Sequence, residues 1–167
     1  MKYLSLNSIK DFEFHDAEMK LVSYNFKKII INVKHLNIHK EAEQNNMPND
    51  MEIDVAQITF NDFFVRSFEP CGELKESLDG SSYICIPPVE PYYGHKAETA
   101  LLDELKHGIT VYALDKLENG FCYISAYGAE PYFSAQFFFN FIKIEWDKYK
   151  KKAWYEEDPF KKSRDSN

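Results

Sequence analysis

The stretch Tyr132 to Trp146, YFSAQFFFNFIKIEW, constrains this chain most, because it runs without a glycine or proline and is nearly half aromatic. Phe133, Ala135, Phe137, Phe139 and Phe141 fall on one parity, and Ser134, Gln136 and Asn140 fall on the other. Successive side chains of a strand point to opposite faces, so this alternation predicts a half-buried strand. After Phe141 the parity switches, and Ile142, Ile144 and Trp146 become the apolar set. A flat strand cannot switch parity and keep one face in the core. Length agrees: such a strand would span roughly 50 Å at about 3.3 Å per residue. A compact chain of this size has a diameter of only about 40 Å. A bulge or bend at Asn140 to Ile142 is therefore expected, carrying the strand round a curved sheet.

Before that stretch, the signals are mostly those of strands and turns. Leu6, Ile9 and Phe12 recur at helical spacing behind Ser5, which predicts one or two helical turns. Residues 18–24 and 27–38 read as strands around Asn25-Phe26, and residues 53–68 as one or two more around Asn61-Asp62. Residues 39–50 are polar and read as a loop. The tract from Glu69 to Gly94 holds four prolines and three glycines; it reads as mostly irregular, with a short strand at Tyr83 to Ile86.

Residues 97–107 carry the clearest helix, with Ala97, Leu101 and Leu105 on one stripe and Gly108 past its end. A hairpin follows, ITVYALDKL-ENG-FCYISAY, with Asn119-Gly120 as a two-residue turn. That turn pairs Asp115 with Ile124 on an otherwise apolar face. A sparse echo links His15-Asp16-Ala17-Glu18 with His95-Lys96-Ala97-Glu98 at an offset of 80 residues, as a duplication would.

The charge narrows the partners. The net −7 divides unevenly: residues 1–60 carry 7 basic and 9 acidic groups, 61–140 carry 5 and 12, and 141–167 carry 8 and 6. An acidic middle disfavours nucleic acid and favours a basic protein as partner. No apolar run approaches the ~20 residues of a membrane helix, and the N-terminus lacks an apolar signal region, so the chain is expected to be cytoplasmic and off the membrane. Three cysteines, Cys71, Cys85 and Cys122, show no CxxC spacing and read as reduced thiols.

No motif demands a reaction. Neither GxGxxG nor GxxxxGK[ST] occurs, so no phosphate cradle or nucleotide cofactor is expected. His35 and His39 stand roughly 13 Å apart on a strand and lack further ligands, so no metal is expected. Glu13, His15 and Asp16 form the most enzyme-like group, since a carboxylate can orient an imidazole, but no nucleophile accompanies them. With Asp115 they make an alternative polar site, for a curved sheet that encloses a small-molecule or catalytic cavity.

Binding to protein has more support. Tyr92 and Tyr93 lie in the Pro/Gly tract, while Tyr127, Glu130 and Tyr132 frame the turn before the central stretch. Tyrosine gives contact area with little entropy loss. Glu98, Asp103 and Glu104 would add a negative rim for a basic partner. A structural subunit is the third class, marked by an apolar patch across Tyr112 and Tyr127.

The words Phe14-His15-Asp16-Ala17, Ile144-Glu145-Trp146-Asp147 and Ala153-Trp154-Tyr155-Glu156 resemble small bacterial domains, some of them immunity proteins of polymorphic toxin systems. That resemblance covers the two ends of the chain and implies an acidic protein that neutralises a toxin by binding it. The fold expected is α+β: a curved, mostly antiparallel sheet, as a sandwich or half-barrel, with one main helix packed on it. Residues 1–160 would form a single domain and 161–167 a disordered tail.

Overall fold

The central stretch breaks into two strands in the computed structural model, which describes residues 1–71, 73–80, 83–86 and 90–156. The strands, in order, are β1 (Tyr3–Leu6), β2 (Phe12–Glu13), β3 (Glu18–Asn25), β4 (Lys28–Lys34), β5 (Asn37–Ile38), β6 (Met51–Ile53), β7 (Ala56–Asn61) and β8 (Phe64–Pro70). They continue with β9 (Glu73–Glu76), β10 (Tyr83–Ile86) and β11 (Tyr92–Tyr93), then helix α1 (Gly94–His107). After it come β12 (Ile109–Lys116), β13 (Cys122–Tyr127), β14 (Phe133–Phe138), β15 (Phe141–Trp146) and β16 (Tyr149–Lys152).

A ten-stranded sheet in the order β1-β15-β7-β4-β3-β12-β13-β14-β8-β11 forms the body, and it is not closed into a barrel. Its pairings are antiparallel. β9 and β10 form a separate hairpin, and β16-β6-β5-β2 a four-stranded sheet. The bend falls at Phe139-Asn140, one residue ahead of the expected place, and it separates two sets of neighbours. β14 pairs with β13 and β8, while β15 pairs with β1 and β7. The parity switch has its reason there: Phe133, Ala135 and Phe137 are buried on one side of the break, and Ile142, Ile144 and Trp146 on the other.

The partner chain bends at the same place. β7 and β8 meet at Asp62, whose φ of 53° lies in the left-handed region. Asn140 donates its backbone N–H to the Asn61 carbonyl (3.1 Å) and its side-chain amide to Asp62 Oδ2 (3.0 Å). Phe60 and Phe63 reach Phe137 across the bend, with ring centroids 5.8 and 5.5 Å apart.

Helix α1 fills the core side of the sheet. It begins three residues earlier than expected and buries Ala97, Leu101, Leu102 and Leu105. Gly108 ends it with φ 102°, donating its N–H to the Glu104 carbonyl. Between the helix and the sheet there remains about 20 Å³, lined by residues including Met19, Phe60, Leu101, Leu105, Ile124 and Phe137. That space holds about one water at most.

Several local expectations fail for identifiable reasons. Ser5 caps no helix; Tyr3–Leu6 extends along β15, and only Ile9–Asp11 makes a 3₁₀ turn. β4 stops at His35 (φ 57°), so residues 27–38 are not one strand. β9 supplies an unforeseen partner to the expected strand at Tyr83–Ile86. The 15/95 echo is not a structural repeat, because His15 and Asp16 sit in a turn whereas His95 and Lys96 open helix α1. Cys71 is disulfide-bonded rather than reduced, and Cys122 is a free, buried thiol that burial pushes up to about 11. No helix among the described residues is long and apolar enough to cross a membrane. The tail at 161–167 lies outside the described residues.

Candidate binding face

The eight residues expected to bind a partner divide between two ends of helix α1. At its start, Tyr92 stacks on Phe68 (centroids 6.1 Å apart) beneath the Lys96 ammonium, 3.7 Å from its ring, and Tyr93 is exposed. Glu98 accepts the Tyr24 hydroxyl (2.9 Å); burial, with that hydrogen bond, pushes Tyr24 up to about 12. Asp103 pairs with Lys106 at 2.7 Å. Glu104 is not a rim residue. It is buried and accepts the backbone N–H groups of Ala129 (2.8 Å) and Glu130 (3.2 Å), which ties the 128–130 turn to the helix. The expected negative rim is thus largely engaged within the chain.

At the other end, Tyr127, Glu130 and Tyr132 belong to a larger surface. β13 buries Cys122, Ile124 and Ala126, so Tyr123, Ser125 and Tyr127 turn to the opposite face. β14 buries Phe133, Ala135 and Phe137, which turns Ser134, Gln136 and Phe138 the same way. Tyr112 of β12 joins them, its ring 5.3 Å from Tyr127 and 5.9 Å from Tyr132. Burial raises the Tyr123 hydroxyl above its ordinary value. His15 lies 6.5 Å from Tyr112 and 6.2 Å from Trp154, extending the line of rings. At the far end Phe64, Phe121 and Phe138 cluster at 5.4–5.9 Å under the Arg66 guanidinium. Tyr112, Tyr127, Phe64 and Trp154 are each more than 40% exposed. Tyr, Ser, Gln and Arg side chains thus share one face of the sheet.

Tyr112 was visible in the sequence only as half of a tyrosine pair, and Asp115 was assigned to the wrong face. The loop is longer than an Asn–Gly turn: Leu117 donates its N–H to the Phe121 carbonyl at 2.7 Å. Leu114 therefore pairs with Ile124, and Asp115 with Tyr123. A bulge between Val111 and Ala113 shifts the register again. A one-residue slip inverts side chains, so Asp115 is exposed and Leu114 packs on the core.

The polar group gathers beside this face. His15 bonds the Tyr112 carbonyl through Nδ1 (2.9 Å), and its Nε2 lies 3.7 Å from Asp16 Oδ1. Glu13 accepts the His15 N–H at 2.8 Å. Glu13, Tyr112 and Asp115 line a pocket of about 410 Å³ together with Lys10, Lys116 and apolar side chains. Among the described residues its polar lining is Lys10, Glu13, Tyr112, Asp115 and Lys116, with no serine, threonine or cysteine.

His35 and His39 serve two separate buried carboxylates. His35 Nδ1 lies 3.0 Å from Glu52 Oε1, which also holds the Lys150 ammonium at 2.9 Å. His39 Nδ1 lies 2.9 Å from Asp50 Oδ2, which also accepts the Tyr155 hydroxyl at 2.8 Å. Burial alone would raise both carboxyls, but the donors outweigh it. His39, the Lys40 N–H and Tyr155 hold Asp50 below the usual range, and Lys150 and His35 do so for Glu52. Ala153 donates its N–H to the Asp50 carbonyl as well. This network fixes residues 153–155 and so delivers Trp154 to the aromatic line. Among the described residues no three His, Cys, Asp or Glu side chains are placed to hold a metal ion.

No protein-family model matches the chain, and neither a curated protein nor a solved structure matches it.

Proposed function

We infer that this chain is a non-enzymatic protein-binding module whose working surface is the outer face of β12, β13, β14 and β8. The run of Trp154, His15, Tyr112, Tyr127 and Tyr132, in which Trp154, Tyr112 and Tyr127 are exposed and His15 and Tyr132 half-buried, carries this reading. Exposed contiguous aromatic surface on a folded chain marks an interaction site, and here Tyr112 and Tyr127 stand on paired strands while His15, Tyr132 and Trp154 join them from turns. The partner is basic. Glu13, Asp16, Glu69, Asp115 and Glu130 border the face, against Lys10, Arg66 and Lys116 as cations. An immunity-type inhibitor of a basic toxin is the specific form that fits a small acidic binder.

The cavity alternative needs a half-barrel or sandwich with room inside. The space of about 20 Å³ between helix α1 and the sheet counts against a ligand there. Disulfides persist in oxidising compartments, so Cys71 argues against the cytoplasmic placement.

Capture from a lysate of the source organism tests the reading, with the wild type, a Tyr127→Ser/Tyr132→Ser variant and a Tyr93→Ser control as baits. The account predicts one basic protein held by the wild type and the control and lost from the face variant. Capture that survives the face variant, or only self-association of the bait, contradicts it.

A further inference from the structure

The two edges of β12 are unequal. β13 pairs along one edge from Thr110 to Lys116. On the other edge β3 pairs only at Ile109 and Thr110, and residues 16–17 close Val111, each by a 2.9 Å backbone hydrogen bond. Beyond that point, among the described residues, the edge from Tyr112 to Lys116 meets only the His15 ring on the Tyr112 carbonyl. Across from it lies β2, which among the described residues is the end strand of the four-stranded sheet and pairs on one side alone, with β5. The 410 Å³ pocket lies between these two free edges. Unpaired strand edges are templates for another strand, and two that face one slot would satisfy both sides of an inserted segment.

The lining matches the alternation of a strand. Half-buried Leu114 offers an apolar side, with Phe12 and Phe14 buried behind the wall, while Glu13, Tyr112 and Asp115 offer an aromatic ring and two carboxylates. An arginine stacks on a ring and bonds carboxylates in one geometry. Lys10 and Lys116 also line the slot and disfavour an unbroken row of cations. We propose that an extended segment of the basic partner adds as a strand between β12 and β2, placing an arginine over Tyr112 and apolar side chains toward Leu114. This mode of strand addition rests on the protein-binding reading above and goes beyond it, since a face can bind a partner without extending either sheet.

A capped eight-residue peptide of alternating valine and threonine, with one central threonine replaced by arginine, is the probe, and the comparisons are the same peptide N-methylated at alternate amides and a valine–glutamate version with glutamate in place of the arginine. Fluorescence anisotropy reads affinity, and hydrogen exchange of the full chain reads location. The expected result is new protection in residues 112–116 and 12–13. Methylation should weaken binding by about tenfold or more, since it removes backbone hydrogen bonds along one edge. Asp115→Asn should weaken the arginine peptide and leave the valine–glutamate peptide no weaker. Equal binding of the methylated peptide overturns strand addition, as does no binding at millimolar peptide. Protection or chemical shifts confined to Tyr127 and Tyr132 also overturn it but leave the protein-binding face standing.

Discussion

Glu104 shows how a residue that reads as surface charge becomes part of the frame. Its carboxylate takes the backbone donors of Ala129 and Glu130, and a Cβ at Gly128 would come within 2.5 Å of Glu104 Oε2. Glu104→Ala should therefore cost about 2–4 kcal/mol, because two amides next to a buried site lose a charged acceptor. Gly128→Ala should also destabilise, and the double variant should cost less than the sum because the two share one contact. Urea denaturation of the three variants checks this, and additive losses would contradict the shared contact. Phe26 presents the opposite case. It is 84% exposed at a hairpin tip with φ 46°, so its ring gains little while its Cβ is strained. Phe26→Asn should stabilise by up to about 1 kcal/mol, raising the unfolding midpoint by about 2–4 °C. A lower midpoint would show that the ring packs after all.

The short elements of the small sheet carry the pH dependence. Asp50 and Glu52 titrate below their ordinary values of 3.8 and 4.5 in the folded chain. A carboxyl depressed by folding stabilises the fold above its unfolded value, and that contribution is lost as pH falls through the folded one. Stability should thus fall steeply as pH drops below about 4, with Asp50→Asn giving a shallower acid limb and a lower stability at neutral pH. Unfolding midpoints measured between about pH 2 and 7 decide it; identical acid limbs would contradict the network. Little of this was legible in the chain. Parity along residues 132–146 showed both strands and the bend, and the Ala97, Leu101, Leu105 stripe showed the helix, because burial writes a period into the sequence. The position of Asp115 was not legible, since one extra loop residue and a bulge reset the hairpin register without changing its composition. His35 and His39 do not share the single strand expected of residues 27–38, and their carboxylate partners come from β6 and its flank, which no local pattern links to them.

At the scale of the molecule, helix α1 and the bend between β14 and β15 fill one side of the sheet, which leaves the other side free to display its rings. The candidate face was half visible: Tyr127 and Tyr132 stood out, whereas Trp154 arrives through the Asp50–Tyr155 link from the far end of the chain. If the face binds a basic protein, carboxylates at its border set the association rate and its salt sensitivity, while the rings set the lifetime of the complex. The most direct measurement is the affinity of the captured partner for the wild type and for Tyr112→Ser/Tyr127→Ser, each confirmed folded, at low and moderate salt. The account predicts a loss of at least about tenfold in the variant at both salts, with wild-type binding weakening as salt rises. Equal affinities for wild type and variant would place the binding surface elsewhere and contradict the account.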